Sequence, residues 1–338
     1  MAKNILIIGG TRNLGHFTAM RMLEAGHRVT VLNRGMSDDD LPENVARLRC
    51  DRTDRLQMRR ALQGRQFDMV IDTVVYKGEE AETIVETLRS SVGHYVFIST
   101  GQVYLVRENL TRPFKEEDYD GPVMPMPDPN SYDYEEWLYG ADKRAAEDVF
   151  AQAHAEDNFP YTSLRLPMVN SERDTFHRLY GYMLRIKDGG PILVPETPDL
   201  PLRHIYGGDV VEVILHLLNS GQGKGRAYNI AQEEVITLHD FLHLLGDLLG
   251  MTPNIRMLPR EVLNEHGFLP DCSPFSDVWM STLDNSRSKT ELGMVYTPLR
   301  TYLEKIVSYY EAHPPAKPIG YHRRRAEKHL DDIPSTSP

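Results

Sequence analysis

The sequence has few cysteines, fewer basic than acidic residues and no long apolar run. Its 338 residues include two cysteines, Cys50 and Cys272, so a disulfide framework is excluded and a reducing compartment is favoured. No apolar run is close to the length of about 20 residues that a membrane-spanning helix requires. The first residues lack the pattern of a signal peptide. The net charge of −11 argues against a general nucleic-acid binder, although a local basic pocket is compatible with it. We therefore expect a cytoplasmic protein that binds no membrane.

Motifs of two common enzyme classes are also missing. Among 13 histidines, none has metal-ligand spacing to cysteine or carboxylate partners. His239 and His243 lie four positions apart, and we interpret them as a solvated helical pair. No Gly-x-Ser-x-Gly elbow supports a hydrolase. The sequence thus predicts no metal site.

Short apolar runs alternate with amphipathic stretches over the first 100 residues. Runs rich in valine and isoleucine predict buried strands at 5–8, 28–32, 69–73 and 95–98. Helical spacing occurs between them, at 15–25, 55–62 and 79–90. Because strand–helix alternation forms a parallel sheet covered on both faces, we predict an α/β fold with a Rossmann-type, doubly wound parallel sheet.

Two later stretches break this alternation. Five prolines among acidic residues predict a long surface excursion over 107–135. Residues 311–338 hold five more prolines and a basic cluster, which predicts an appended tail outside the core. Between these stretches, apolar spacing predicts helices at 139–154, 209–218, 238–249 and 299–310, and a strand at 161–166.

The first predicted strand runs into a glycine-rich turn and a helix. This turn lets the backbone approach a pyrophosphate at the helix N-terminus. The predicted cofactor-binding residues are Gly9, Gly10, Thr11, Arg12, Asn13, Leu14 and Gly15. The alternative is a tight turn without a ligand.

The second strand ends without the carboxylate that binds the ribose hydroxyls in many dinucleotide folds. Asn33 and Arg34 stand there instead. An asparagine does not repel a 2′-phosphate, and Arg34 or Arg12 can pair with it. This pattern favours NADP over NAD, unless the arginines are merely solvated.

Tyr139 and Lys143 lie four positions apart, on one face of a predicted helix. A neighbouring ammonium lowers the pKa of a tyrosine, so Tyr139 is a candidate acid/base and Lys143 its partner. The fourth predicted strand leads into Ser99 and Thr100, at the sheet edge where ligands bind in parallel folds. Thr100 is therefore a candidate for orienting a substrate oxygen. A solvated pair and a strand-end cap are the alternatives.

These motifs, in this order, resemble an extended short-chain dehydrogenase/reductase of the nucleotide-sugar epimerase/dehydratase type. The resemblance runs from Ile5 to about Tyr310. It also includes Leu164-Arg-Leu-Pro167, Tyr228-Asn-Ile230 and the segment that begins at Ser286.

The resemblance implies a role for each matching residue. Tyr139 is the acid/base, Lys143 binds the nicotinamide ribose, and Thr100 orients the substrate. The remaining implied cofactor contacts are Asp51, Arg52, Ser99, Pro167 and Val169. The cofactor is NAD or NADP, and the substrate a small molecule of the nucleotide-sugar type. A homodimer is also implied.

The resemblance also implies a domain division with a smaller C-terminal substrate-binding domain. Residues 1–166 form the dinucleotide-binding domain, to which 204–235 return. Residues 167–203 and 236–310 form the substrate-binding domain, and 311–338 form the tail.

The sequence departs from the family pattern at the glycine turn and after Thr100. Arg12 stands where the family has its middle glycine, and Gly9 to Arg12 with Asn33 to Gly35 resemble an atypical branch that includes chloroplast stem-loop RNA-binding proteins. Gly101 and Gln102 replace the Asp-Glu pair of sugar dehydratases, which disfavours dehydration because no carboxylate pair is present.

Three functions stay open at this point. An epimerase keeps its cofactor, whereas a reductase exchanges NADPH at each turnover. The third alternative is a non-catalytic protein that binds NAD(P) or RNA, although a tuned tyrosine and the charge of −11 argue against it.

Overall fold

A computed structural model describes residues 1–36 and 39–329. The chain divides into two compact units. The first contains Met1–Val169, Ile205–Ala231 and Ser281–Tyr296, and the second contains Asn170–His204, Gln232–Met280 and Thr297–Pro338.

The strands, in chain order, are β1 (Asn4–Ile8), β2 (Arg28–Asn33), β3 (Ala46–Arg49), β4 (Met69–Asp72), β5 (Tyr95–Thr100), β6 (Tyr161–Leu166), β7 (Val169–Asn170), β8 (Ile192–Pro195), β9 (Ile205–Tyr206), β10 (Arg226–Asn229) and β11 (Ile255–Leu258). The helices are α1 (Asn13–Glu24), α2 (Arg55–Leu62), α3 (Gly78–Leu88), α4 (Gln102–Leu105), α5 (Tyr132–Asp157), α6 (Arg178–Lys187), α7 (Gly207–Ser220), α8 (Leu238–Leu249), α9 (Arg260–Glu265), α10 (Ser286–Leu292), α11 (Leu299–Ala312) and α12 (Arg324–Lys328).

The first unit is built on a seven-stranded sheet in the order β10-β6-β5-β4-β1-β2-β3. Its neighbouring strands all pair in parallel. The strand order reverses between β1 and β4, and ligands of such sheets bind at the carboxyl ends of the strands beside this point. The prediction of a doubly wound α/β fold is confirmed.

Both faces of β1 are apolar, which explains why helices cover the sheet on each side. Ile5 and Ile7 belong to one core cluster, with apolar residues of α1 and α7. Leu6 and Ile8 belong to the other, with residues of α3 and α5. Because alternate side chains of a strand point to opposite faces, a continuous apolar run is what a doubly covered strand requires.

The second unit contains α6, α8, α9, α11 and α12. Its strands β8 and β11 pair in parallel. Leu193, Leu263 and Phe268 pack together in its interior with Cys272.

The predicted surface excursion at 107–135 is wrong for its central part. Phe114 is buried and forms a parallel bridge to Leu283. Its backbone N donates to Thr282 O at 2.8 Å, and Asp284 N donates to Phe114 O at 2.8 Å. This pairing explains why residues of the segment 281–296 belong to the first unit. The end of the predicted excursion is helical, because α5 begins at Tyr132.

The predicted appended tail is wrong for its described part. Glu327 is fully buried and accepts two hydrogen bonds from Arg185, at 2.9 and 2.6 Å. Arg324 is also buried and forms an ion pair with Asp188 at 2.6 Å. The predicted tail thus supplies Arg324 and Glu327, whose charges are paired inside the second unit. Residues 330–338 lie outside the described part of the chain.

Candidate active site

The glycine turn leaves room for backbone only. Gly9 has a φ of +85°, and a Cβ there would lie 2.5 Å from Thr73 Oγ1. A Cβ on Gly15 would lie 2.5 Å from Gly9 O, and one on Gly10 would lie 2.7 Å from Val31 Cγ1. The three glycines therefore permit the close turn from β1 into α1, and side chains in these places would fill it.

The first turn of α1 follows the glycine turn at the carboxyl end of β1. Arg12 occupies the N-cap position and makes no side-chain cap hydrogen bond. Amides of an uncapped helix N-terminus suit a phosphate group, because their N–H groups and the helix dipole both favour an anion. The residues present at this turn, including Thr11, Asn13 and Leu14, thus fit a dinucleotide pyrophosphate.

Arginines surround the end of β2. Asn33 Oδ1 accepts a hydrogen bond from Gly35 N at 2.8 Å and another from the Arg49 guanidinium. Arg34 is exposed, and its charge contributes to lowering the pKa of Asp51, after the larger effect of hydrogen bonds from Thr53. The sequence reasoning missed Arg49, which stands opposite Asn33 in the β2–β3 register.

Arg52 forms ion pairs with two carboxylates. Its Nη1 is 2.8 Å from Asp72 Oδ1, and its Nε is 3.7 Å from Glu80 Oε2. Asp72 is fully buried at the end of β4 and also accepts a hydrogen bond from the Tyr95 hydroxyl at 3.0 Å. The guanidinium of Arg52 thus compensates a buried carboxylate, and its predicted contact with the cofactor stays a prediction.

Tyr139 and Thr100 are brought together at the end of β5. The Tyr139 hydroxyl lies close enough to the Thr100 side chain for that side chain to lower the pKa of Tyr139, and Gln102 N donates to Thr100 Oγ1 at 3.3 Å. Burial of the hydroxyl raises the pKa of Tyr139, although the Thr100 side chain opposes this and part of the residue stays exposed. The expectation that a neighbouring ammonium lowers this pKa is wrong for this structure.

Lys143 is buried and its ammonium is directed at backbone oxygens. Its Nζ donates to Val75 O at 2.6 Å and to Ile98 O at 2.9 Å. Burial lowers the pKa of Lys143 to about 7, with the Asp72 charge opposing the shift. Lys143 is therefore close to the point at which it loses its charge at neutral pH.

Ser99 is turned into a buried polar network. Its hydroxyl donates to Glu147 Oε1 at 2.5 Å. Glu147 also accepts from Arg165 Nη2 at 2.7 Å, and Arg165 Nη1 donates to the Tyr104 hydroxyl at 2.7 Å. The predicted cofactor contact of Ser99 stays a prediction, and the contacts described here join α5 to β5 and β6.

Pro167 and Val169 follow the carboxyl end of β6. Pro167 is buried, and Val169 packs against the core cluster that contains Ile5 and Ile7. Their position at the sheet edge agrees with the place predicted for them, while their contact with a nicotinamide stays a prediction.

Packing explains the glycine that replaces a carboxylate after Thr100. A Cβ on Gly101 would lie 2.0 Å from Ser281 Oγ. Gln102 donates from its side-chain amide to Glu136, a carboxylate that the sequence reasoning missed. Glu136 lies one turn before Tyr139 on α5, and its charge contributes to raising the pKa of Tyr139, after burial. The spacing of Glu136 and Tyr139, three positions apart on one helix, is the sequence signal from which their proximity could have been predicted.

Comparison with known proteins identifies the family. Residues 5–231 match the NAD dependent epimerase/dehydratase family. The chain belongs to this family. The predicted family resemblance is therefore confirmed, and membership supports NAD-dependent oxidoreductase or epimerase chemistry.

Two curated proteins are similar in sequence. The chloroplast stem-loop binding protein of 41 kDa b of Arabidopsis thaliana is 27% identical over 248 residues, which are 70% of this chain and 60% of that protein. The 2'-dehydrokanamycin reductase of Streptomyces kanamyceticus is 23% identical over 283 residues, 81% of this chain and 76% of that protein.

Solved structures share the fold. A UDP-glucose 4-epimerase of Thermotoga maritima has a TM-score of 0.72 at 20% identity, covering 91% of this chain and 99% of its own. A dTDP-glucose 4,6-dehydratase of Bacillus anthracis in complex with NAD also has a TM-score of 0.72, at 16% identity, covering 92% of this chain and 97% of its own.

The described residues contain no helix that is long and apolar enough to cross a membrane. Over the same residues, no group of three or more histidines, cysteines and carboxylates is placed to hold a metal ion.

Proposed function

We propose that the chain is a NADP-dependent reductase that reduces a carbonyl group of a sugar-like small molecule. The observation that carries this proposal is the joint position of Thr100, Tyr139 and Lys143 at the carboxyl end of β5. A glycine turn that fits a pyrophosphate follows β1 in the same sheet.

Each residue of this set has a chemical role. Thr100 and Tyr139 bind the substrate carbonyl oxygen, and Tyr139 donates its phenolic proton to that oxygen as the alcohol forms. A bound nicotinamide supplies the hydride for the carbonyl carbon. Burial keeps the phenol of Tyr139 protonated, which suits a proton donor. Lys143 binds the nicotinamide ribose and holds it in place for the transfer.

Three arginines support NADP as the cofactor. Arg34 and Arg49 stand at the ends of β2 and β3, and Arg12 is in the glycine turn. A 2′-phosphate adds close to two negative charges, which favour several guanidinium groups. The backbone of Gly9, Gly10 and Gly15 is proposed to hold the pyrophosphate.

The substrate class is proposed from the relatives. One relative is named as a reductase of 2'-dehydrokanamycin, and a structural neighbour holds UDP-glucose. We propose that the second unit binds a sugar-bearing substrate, with nucleotide sugars the first class to test.

We also propose that the protein is a cytoplasmic homodimer and that it binds no nucleic acid. Light scattering measures the oligomeric state, and RNA-binding measurements test the absence of nucleic-acid binding.

An epimerase is the second candidate, because the family includes enzymes of that type. The decisive experiment is mass spectrometry of the nucleotide released from the purified, denatured protein, followed by titration with NAD(H) and NADP(H). A protein that purifies empty and binds NADPH more tightly than NADH supports the reductase. Stoichiometric NAD that survives purification overturns the reductase proposal in favour of the epimerase. If the protein binds neither nucleotide, both enzyme proposals are overturned in favour of a non-catalytic binding protein.

A further inference from the structure

Aromatic rings surround the ammonium of Lys143. Its Nζ lies 4.7 Å from the ring centroid of Tyr76, 4.7 Å from that of Phe97 and 6.0 Å from that of Tyr139. At such distances an aromatic face attracts a cation, and the attraction is stronger where water is excluded. Tyr76 was not among the residues that the sequence pointed to.

Tyr76 is the most exposed of the three rings in this enclosure. Phe97 is fully buried in β5, and Lys143 is 3% exposed, whereas Tyr76 is 45% exposed. Its ring lies 6.2 Å from that of Tyr139 at a tilt of 50°, and its backbone N donates to Glu80 Oε2 at 2.8 Å. The Tyr76 ring therefore separates Lys143 from water.

The hydrogen bonds of Lys143 make its charge state important for a ligand. An ammonium has three N–H donors, and a neutral amine has two. Val75 O and Ile98 O already accept two of them. A donor for the ribose hydroxyls of a dinucleotide is therefore present only when Lys143 is protonated.

The charged groups around Lys143 oppose one another. Burial lowers the pKa of Lys143 to about 7, and Arg52 adds to the lowering. Asp72, Glu147 and Glu80 raise it. The aromatic attraction also favours the charged form, but burial has the largest effect on the pKa of Lys143 and lowers it. Exclusion of water is thus the dominant effect of the enclosure.

We propose that Tyr76 is a positioning residue of the active site, whose ring keeps water from Lys143 so that the lysine takes up a proton when the dinucleotide binds. The proposal rests on the proposed function, since it requires a nicotinamide nucleotide beside Lys143. It makes cofactor binding dependent on pH in the neutral and mildly alkaline range. This pH dependence arises because Val75 O and Ile98 O accept two N–H groups of Lys143, which leaves a third N–H for the cofactor only in the protonated form.

The test is calorimetric titration of the full chain with NADPH at pH 8, in buffers of different ionisation enthalpy. The number of protons taken up on binding is read from the slope of the observed heat. With a pKa of about 7 before binding, wild type is expected to take up about 0.9 proton. Lys143→Met is expected to take up about none.

Three variants of Tyr76 separate the ring from its hydroxyl. Tyr76→Phe keeps the ring and is expected to match wild type. Tyr76→Ala and Tyr76→Ser open Lys143 to water, which raises its pKa before binding and reduces the uptake to less than about half a proton. The serine variant provides the same comparison if the alanine variant does not fold.

The outcomes distinguish this proposal from the proposed function. Uptake in Tyr76→Ala or Tyr76→Ser equal to that of wild type overturns the role of Tyr76, and uptake that persists in Lys143→Met overturns the role of Lys143. Both results leave the reductase intact. Absence of any NADPH or NADH binding to wild type overturns the proposed function and this inference with it.

Discussion

At the scale of single residues, Tyr139 is the candidate acid/base, and its hydroxyl lies near the Thr100 side chain. We expect Tyr139→Phe to lower turnover of an accepted carbonyl substrate by about 100-fold or more, because the proton donor is lost. The dissociation constant for NADPH should stay nearly unchanged. Steady-state kinetics and fluorescence titration check these two expectations. Tyr309→Phe, on α11 of the second unit, is the matched control, and full activity of Tyr139→Phe would contradict the assignment.

Arg49 is the second residue considered at this scale. Its guanidinium contacts Asn33, the last residue of β2. Arg49→Ala and Arg34→Ala are each expected to weaken NADPH binding by about tenfold, the equivalent of about 1.4 kcal/mol. NADH binding should change little, since NADH lacks the 2′-phosphate. Arg226→Ala, at an exposed position that begins β10, serves as the control. Equal losses for the two nucleotides would rule out a 2′-phosphate site.

At the scale of elements, the position of α5 depends on a buried ion pair. Glu147 on α5 and Arg165 on β6 are each 5% exposed in their side chains and 2.7 Å apart. Glu147→Gln leaves the guanidinium without a compensating charge, and we expect the free energy of unfolding to fall by about 3 kcal/mol. Urea denaturation measures it.

Glu156 provides the comparison for this prediction, because it lies on α5 but is exposed. Glu156→Gln should change the free energy of unfolding by less than about 0.5 kcal/mol. A similar value for Glu147→Gln would show that the ion pair does not hold the helix that carries Tyr139 and Lys143.

At the scale of the whole molecule, the late part of the chain completes the second unit. Arg185 on α6 and Glu327 on α12 are separated by 142 positions and are both almost fully buried. Glu327→Gln is expected to destabilise the protein by about 3 kcal/mol, since it leaves Arg185 buried without its partner. Thermal denaturation followed by circular dichroism is the measurement.

The exposed pair of Lys187 and Glu311 is the natural control, with a distance of 2.9 Å in the same unit. Exposed ion pairs contribute about 0–1 kcal/mol, so Glu311→Gln should have little effect. If Glu327→Gln lowered stability as little as Glu311→Gln, the conclusion that residues 313–329 are part of the core of the second unit would be wrong.

The α/β fold, the glycine turn and the spacing of Tyr139 and Lys143 could be predicted from the sequence. Apolar runs such as Ile5 to Ile8, and the residues of a tight turn, are local patterns. They have the same consequence wherever the chain places them, so they can be recognised without coordinates.

The lowered pKa of Lys143, the raised pKa of Tyr139 and the contacts of Arg49, Tyr76 and Glu327 required the tertiary structure. Each depends on groups distant in sequence that exclude water or supply an opposite charge. Burial raises the pKa of Tyr139. An ion pair between residues 142 positions apart places part of the late, charged stretch in the interior of the second unit. Such effects follow from the low dielectric of the interior, which no local pattern specifies.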